Sequence, residues 1–116
     1  MNRLTIKRSM FSKNAIPVVC KTAAEAVQII KSKDIVYIHS VAASPKTLMD
    51  GLASRAAELR GVQLCHIHLE KANPCLDKKY QDSFFINHYF VGANARSKLT
   101  TLSNAYTPIF LSDVPK

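Results

Sequence analysis

Two short turns, each between a strand-like and a helix-like segment, carry the residues best suited to bind a carboxylate or another anion. The first is Ala42-Ala43-Ser44-Pro45, whose small side chains would let a ligand approach the backbone. Ser44 and Pro45 have the pattern of a helix N-cap followed by the first helical residue. The backbone amides after Ser44 could then hold a carboxylate or stabilise a developing oxyanion. An ordinary capped helix explains the same residues, so both interpretations stay open.

The second turn contains Gly92, Asn94 and Arg96. Glycine permits backbone conformations that other residues avoid, and asparagine is a good helix N-cap. These residues predict a helix that runs from Asn94 to about Leu102. Arg96 would lie in its first turn, where the helix dipole disfavours a cation unless an anion is close. The pattern indicates either a bound anion or an ion pair with an acidic residue elsewhere in the protein.

His66 and His68 are two residues apart on a predicted strand and should therefore point to the same face. That spacing suits a metal site only if a third ligand comes near, and no third ligand has a recognisable spacing. His39, at the end of a neighbouring strand, is the one candidate that the fold could bring close. We therefore expect hydrogen-bonded or inert histidines and no metal centre.

The segments between these residues predict an α/β domain. A capping box at Thr22 and Glu25 starts a first helix, and the continuous apolar run 35–38 predicts a strand covered on both faces. A second helix should bury one stripe: Leu48, Leu52, Ala56 and Leu59. Further strands are expected at 62–69, 84–91 and 106–111, with a short helix at 77–82. The order predicts an open, mainly parallel sheet with flanking helices, and ligands bind such sheets beyond the carboxyl ends of the strands.

The composition fits one domain of 116 residues, 47% of them hydrophobic, with a formal net charge of +8. Much of that charge lies in residues 1–21, which hold five basic and no acidic residues and which we interpret as a basic N-terminal arm preceding the domain at 22–116. An acid-free, serine-containing N-terminus could also be a transit peptide. Three cysteines without metal-like spacing indicate a reducing, cytoplasmic location. No apolar run is long enough to predict a membrane span.

Three segments of this sequence together resemble the N-terminal part of the acetyl-CoA hydrolase/transferase family, which includes 4-hydroxybutyrate CoA-transferases. The segments are Val41-Ala42-Ala43-Ser44-Pro45, Phe90-Val91-Gly92-Ala93-Asn94 with Arg96, and Pro108, Phe110, Leu111, Ser112 and Pro115. The resemblance covers about residues 20–116 and implies a CoA-transferase-like fold, incomplete relative to family members, which are several times longer.

The resemblance implies transfer of CoA between an acyl-CoA and a carboxylate such as acetate, butyrate or 4-hydroxybutyrate, through a glutamyl-CoA thioester. Water intercepting that chemistry would give hydrolysis. The catalytic glutamate of the family lies in its C-terminal half; Glu70 lacks that context, so no catalytic residue is assigned here. CoA enters as part of a substrate, and no other cofactor is implied. The expected substrate-binding residues are Ala42, Ala43, Ser44, Pro45, Gly92, Asn94 and Arg96.

The implied partners are the acyl-CoA and carboxylate substrates, a missing C-terminal domain, and further copies in a homo-oligomer, with neither nucleic acid nor membrane. Two departures from the family, at 71–76 and 100–105, leave the acyl specificity open. The competing interpretation is a stand-alone basic module that binds an anion or nucleic acid, although its basic residues lack interleaved aromatic residues. A phosphosugar isomerase-type enzyme is a third possibility, by fold analogy alone.

Overall fold

The computed structural model describes residues 18–97, 99 and 104–114. It confirms the predicted fold class, an α/β domain with an open parallel sheet. The strands are β1 (Ile35–Tyr37), β2 (Val62–His66), β3 (Phe84–His88) and β4 (Asn104–Tyr106), and the α-helices are α1 (Ala23–Ala26), α2 (Lys46–Ser54) and α3 (Ala93–Arg96). Short 3₁₀ turns occupy Val27–Ile29, Pro74–Leu76, Lys78–Tyr80 and Leu111–Asp113.

The four strands lie in the order β1-β2-β3-β4, and every neighbouring pair is parallel. Each new strand is therefore added on the same side of the one before it. Because crossovers between parallel strands are right-handed, this order places every connection on one face of the sheet. The helices and turns thus cover one face. The connections within the described residues leave much of the other face exposed, although Cys65 on that face is buried.

The first helix begins at the predicted N-cap, Thr22, but Glu25 reaches one residue further back than a capping box requires. The Thr22 side chain accepts a hydrogen bond from the Glu25 amide, and the Glu25 carboxylate accepts one from the amide of Lys21. The helix has only one turn before it tightens into the 3₁₀ segment. Arg55, after α2, donates to the carbonyls of Val27 and Ile30 and so satisfies the end of this segment.

The buried residues of α2 and the turn after it match the predicted stripe at Leu52, Ala56 and Leu59 but not at Leu48. Met49 and Leu52 are buried at 5% and 3% exposure, whereas Leu48 is 42% exposed. The helix ends at Ser54, so Ala56 and Leu59 are buried from the following turn and not from the helix. The prediction for Leu48 was wrong: Met49 takes its place in the core.

The core lies between the helices and the inward-pointing residues of the sheet: Val62 and Leu64 of β2, and Phe84 and Ile86 of β3. On the opposite face, Ile35 and Tyr37 are 59% and 52% exposed. The prediction that the first strand is covered on both faces is therefore wrong for the described residues. The apolar run 35–38 has no second layer there because all the crossovers pass on the other side.

The carboxyl-terminal part also differs from its predicted form. The fourth strand spans Asn104–Tyr106, earlier than predicted, and Pro108 to Phe110 have no regular structure. Ile109, Phe110 and Leu111 are exposed. The helix predicted from Asn94 to about Leu102 is described only as Ala93–Arg96, and the residues at 98 and 100–103 lie outside the described residues.

Candidate functional site

The carboxyl ends of β1, β2 and β3 are followed by three loops, at 38–45, 67–73 and 89–92, which we call the carboxyl-edge loops. The middle loop is hydrogen-bonded to the first loop and to α3, the helix that follows the third loop. The Val41 amide donates to the His68 carbonyl at 2.8 Å, and the Asn94 side-chain amide, in α3, donates to the carbonyls of Leu69 and Glu70 at 3.0 and 3.2 Å. The two predicted substrate-binding turns therefore lie on one edge of the sheet, on either side of the middle loop.

The first turn has a strained backbone, and Ser44 does not cap the helix as predicted. Val41 has a φ of 57°, a left-handed conformation that is costly for a β-branched residue. The Ser44 hydroxyl donates to the Val41 carbonyl at 2.6 Å, so it closes the turn, and Pro45 takes the N-cap position. Ala42 and Ala43 project from the turn as exposed residues. Strain of this kind is found most often at ligand-binding sites.

The start of α2 still presents backbone amides at this edge. The amide of Lys46 donates to Ser44 and that of Met49 donates to Pro45, and no side chain caps the helix. Among the described residues this leaves the amides of Thr47 and Leu48 without a backbone acceptor. Free backbone amides are therefore present at this turn, three to four residues after Ser44, and anion binding there stays a prediction.

The second predicted turn depends on the absence of a side chain at Gly92. Its φ is −71°, which any residue can adopt. A Cβ atom at this position, however, would lie 2.4 Å from His68 Cε1 and 2.6 Å from His68 Nδ1. We predicted a backbone conformation reserved for glycine, and that prediction was wrong; the glycine is required because the His68 ring lies against it.

Asn94 and Arg96 also differ from their predicted roles. Gly92 is the N-cap of α3, and Asn94 lies inside the helix with its side chain bonded to the middle loop. Arg96 is the last residue of α3, which is described as a single turn, so its first and last turns coincide and the helix dipole neither favours nor disfavours a cation there. Arg96 is exposed and forms no ion pair with the residues that the structure describes.

A small cavity of about 10 Å³ lies beneath the carboxyl-edge loops, lined in part by His66, Asn73, His88, Gly92 and Asn94. His66 and His88 end β2 and β3 at equivalent register positions, and their rings meet edge to face with centroids 4.7 Å apart. Neither His88 nor Asn73 was predicted as a site residue. The sequence feature that could have indicated His88 is a histidine near the carboxyl end of each of two successive apolar strands.

These buried histidines are held in the neutral form. Burial, with smaller contributions from His88 and His68, lowers the pKa of His66 from 6.5 to about 4. Burial also lowers the pKa of His88, although its hydrogen bond with Asn104 acts in the other direction. The buried polar side chains of the lining are thus uncharged, and Lys71 is the charged residue that also lines the cavity, so the lining does not suit the capture of a metal cation.

Other candidate residues contribute less to this edge. No three His, Cys, Asp or Glu side chains within the described ranges come together in a way that could hold a metal ion. Glu70 is exposed and contributes its backbone carbonyl to Asn94. Cys75 is buried, and burial raises the pKa of its thiol to about 12, so it is not a ready nucleophile. In the part of the chain that the structure describes, no helix is long and apolar enough to cross a membrane.

The fold and this edge define the chain as a parallel α/β domain whose loops after the strands form a candidate ligand site. The model of the acetyl-CoA hydrolase/transferase N-terminal domain matches residues 7–116. A succinyl-CoA:acetate/propanoyl-CoA:succinate CoA transferase from Fasciola hepatica is 33% identical over 93 residues. The chain therefore belongs to the acetyl-CoA hydrolase/transferase family, as the sequence motifs indicated.

The matched region is a small part of these relatives. It covers 78% of this chain and 19% of the Fasciola protein, so the chain spans about a fifth of that relative. Among solved structures, RipA from Yersinia pestis superposes with a TM-score of 0.71 over 81% of this chain and 24% of RipA, at 21% identity. One mutant form of RipA superposes with a TM-score of 0.72 over the same shares of both chains. These structures confirm the fold.

Proposed function

We propose that this chain forms the N-terminal pocket wall of an enzyme that moves CoA between an acyl-CoA and a small carboxylate. The observation that carries the proposal is the family match over residues 7–116, and the Fasciola relative is by its own name a CoA transferase. The geometry agrees, because the family motifs at 41–45 and 90–96 lie on one edge of the sheet, tied together through the middle loop.

The proposed chemistry proceeds through a glutamate outside this chain. CoA passes from the acyl-CoA to that glutamate as a glutamyl thioester while the acyl group leaves as its carboxylate. An acceptor carboxylate then takes CoA from the glutamate and regenerates the free side chain. Hydrolysis results if water takes the place of the acceptor. Acetate, butyrate and 4-hydroxybutyrate are the carboxylates we propose, and no cofactor other than substrate CoA is needed.

Within that enzyme, the first carboxyl-edge loop would wall the carboxylate or acyl pocket. The exposed Ala42 and Ala43 and the amides of Thr47 and Leu48 offer small side chains and hydrogen-bond donors without a charge of their own. Gly92 and Asn94 would fix the opposite wall, since both pack on the middle loop. Arg96, exposed and without an acidic partner among the described residues, could meet an anionic group of the substrate.

The partner we propose for this chain is the remaining sequence of the family enzyme, within a cytoplasmic homo-oligomer. The open face of the sheet, where Ile35, Tyr37 and Phe85 are exposed, is a surface that such sequence could cover.

Exchange of label between acetyl-CoA and butyrate tests this proposal. Residues 1–116 alone should not exchange CoA, whereas the enzyme that contains them should, with a hydroxylamine- or borohydride-sensitive thioester on a glutamate outside them. Mass spectrometry locates the modified residue. Exchange by residues 1–116 alone with label on Glu70, or no exchange by the whole enzyme with any acyl-CoA and carboxylate pair, would contradict it.

A charge placed on the first loop tests the pocket wall in the whole enzyme. Ala42→Asp should raise the KM for the carboxylate by about 5-fold, because about 1 kcal/mol of repulsion is expected between like charges at close range in water. Ala42→Asn, whose side chain has the shape of aspartate but no charge, should change the KM less. Ala57→Asp is the matched control, since Ala57 is also exposed but lies after α2, near the other end of the domain. Equal effects from Ala42→Asp and Ala57→Asp would remove Ala42 from the site.

A further inference from the structure

The cavity beneath the carboxyl-edge loops is surrounded by an unusual number of buried polar atoms. Five side-chain nitrogens in this region are fully buried and have no hydrogen-bond partner among the described residues: His66 Nδ1 and Nε2, His68 Nδ1, Asn73 Nδ2 and His88 Nδ1. His66, Asn73 and His88 are at most 3% exposed. Buried polar groups are nearly always hydrogen-bonded, and each exception needs an explanation.

Three of these side chains line the same cavity, namely His66, Asn73 and His88. Its volume of about 10 Å³ is close to the smallest space that holds one water molecule. It is too small for an acyl group or a phosphate. The occupant must therefore be a single small group.

The hydrogen-bonding character of the lining restricts the occupant further. Asn104 Oδ1 can only accept, so His88 Nε2 donates to it at 3.2 Å; a neutral His88 then has Nδ1 as an acceptor. Asn73 Oδ1 accepts from the Cys75 amide at 2.9 Å, which leaves its Nδ2 as a donor. A neutral His66 supplies one donor and one acceptor.

The occupant must therefore both donate and accept hydrogen bonds. A carboxylate or carbonyl oxygen could not satisfy the His88 acceptor, and a metal cation would be repelled by the Asn73 donor. Water satisfies both, and a buried water usually makes about three hydrogen bonds to polar groups of this kind.

We propose that the cavity is a binding site for one structural water molecule that accepts from Asn73 Nδ2 and donates to His88 Nδ1, with His66 as the third partner. This water joins β2, β3 and the start of the 74–76 turn. The middle carboxyl-edge loop would thereby be fixed from below, as Asn94 fixes it from the side. Water binding at this position does not depend on CoA transfer, and it makes His66, Asn73 and His88 positioning residues for the loop.

Oxygen-17 magnetic relaxation dispersion of the 116-residue chain tests the proposal, because it counts long-lived water molecules and is insensitive to exchanging protein hydrogens. We expect His66→Phe, which removes two of the five nitrogens, to lower the dispersion amplitude by about one water molecule. His39→Phe is the matched control, since His39 is exposed and bonds only to the Ser40 carbonyl among the described residues; it should leave the amplitude unchanged. An amplitude that His66→Phe does not alter would overturn the proposal.

The stability of His66→Phe provides a second readout, because a dry cavity and a water-filled cavity predict changes of opposite sign in the denaturation midpoint. If the nitrogens had no partner, replacing the His66 ring by phenyl would remove a desolvation penalty and raise the denaturation midpoint. With water bound, the same change removes a hydrogen-bonding partner of that water and should lower the midpoint. A raised midpoint for His66→Phe would therefore contradict the proposal even if the amplitude measurement failed.

Nitrogen-15 spectra of the histidine rings provide the third readout. His88 should show a protonated Nε2 and a bare Nδ1 at neutral pH, because Nε2 is bound to Asn104 and Nδ1 receives the water. The opposite tautomer of His88 would place a donor in the cavity and would overturn the assigned hydrogen bonds.

Discussion

The two faces of the sheet differ more than the sequence of its strands suggests. On the covered face, Leu64 and Ile86 lie in the core with 0% and 1% exposure. On the open face, Ile35, Tyr37 and Phe85 are apolar or aromatic and yet exposed to between 36% and 59%. Strand composition does not distinguish the faces; the sequential strand order does, because right-handed crossovers then all pass over one side.

The carboxyl edge lies where the covered face ends, and it breaks several local rules that the core obeys. Val41 has a left-handed backbone, Gly92 makes room for the His68 ring, and buried histidines have nitrogens without partners among the described residues. Departures of this kind cluster at functional sites, where stability is lost locally and restored by packing elsewhere. From this contrast we expect changes in the core to affect stability most and changes at the edge to affect the candidate site.

The largest effect is expected on the covered face. Leu52→Ala should lower the free energy of unfolding by about 2–5 kcal/mol, because the truncated side chain leaves a cavity in the core. Met49→Ala should also be costly, whereas Leu48→Ala should cost much less because Leu48 is 42% exposed. Chemical denaturation measures all three. A larger loss for Leu48→Ala than for Met49→Ala would return the buried face of α2 to the stripe predicted from sequence.

The next effect is the pH dependence of stability, to which the two buried histidines at the carboxyl edge, His66 and His88, should both contribute; the shift of His66 sets the range. The unfolded chain takes up a proton near the ordinary pKa of 6.5, but the folded chain does so only near a pKa of about 4. Stability should thus be constant above about pH 6.5 and fall as the pH drops toward about 4, by a total on the order of 3 kcal/mol.

Urea denaturation at a series of pH values measures this loss. His66→Phe should flatten the profile in that range, because the variant has no imidazole to protonate at this position. An unchanged slope in His66→Phe would show that another group causes the loss.

At the edge, Gly92→Ala should destabilise the chain by about 1–3 kcal/mol, since the new methyl group would overlap the His68 ring. The double variant Gly92→Ala with His68→Ala should recover part of the loss, and a double-mutant cycle isolates this coupling. Thermal or chemical denaturation of the four proteins is sufficient. Full additivity of the two changes would mean that His68 does not require the glycine.

The smallest effect on stability is expected on the open face. Ile35→Ser should change the free energy of unfolding by less than about 1 kcal/mol, because half-exposed side chains contribute little burial. The same change should reduce self-association of the isolated chain, since exposed apolar sheet surface promotes contact between molecules. Light scattering at increasing concentration measures this. A loss as large as that of Leu52→Ala would show that the open face is covered after all.

The sequence by itself determined the local features and the family. It was sufficient for the Thr22 N-cap, the parallel α/β class, the approximate positions of the first three strands, and the motifs at 41–45 and 90–96 that resemble the family. These features depend on short-range patterns: hydrophobic runs, caps and turn residues. Such patterns can be recognised within a few residues of chain, because each has a local physical cause.

Only the tertiary structure decided which of those residues meet. In the structure the N-cap is Pro45 and not Ser44, and the buried residue is Met49 and not Leu48. One side of β1 is exposed, and Gly92 has a steric role. The tertiary structure also brought together the side chains around one cavity, which come from separate segments of the chain: His66, Asn73 and His88. These outcomes depend on crossover handedness, strand register and packing between distant segments, which are properties of the folded chain and leave no local mark in the sequence.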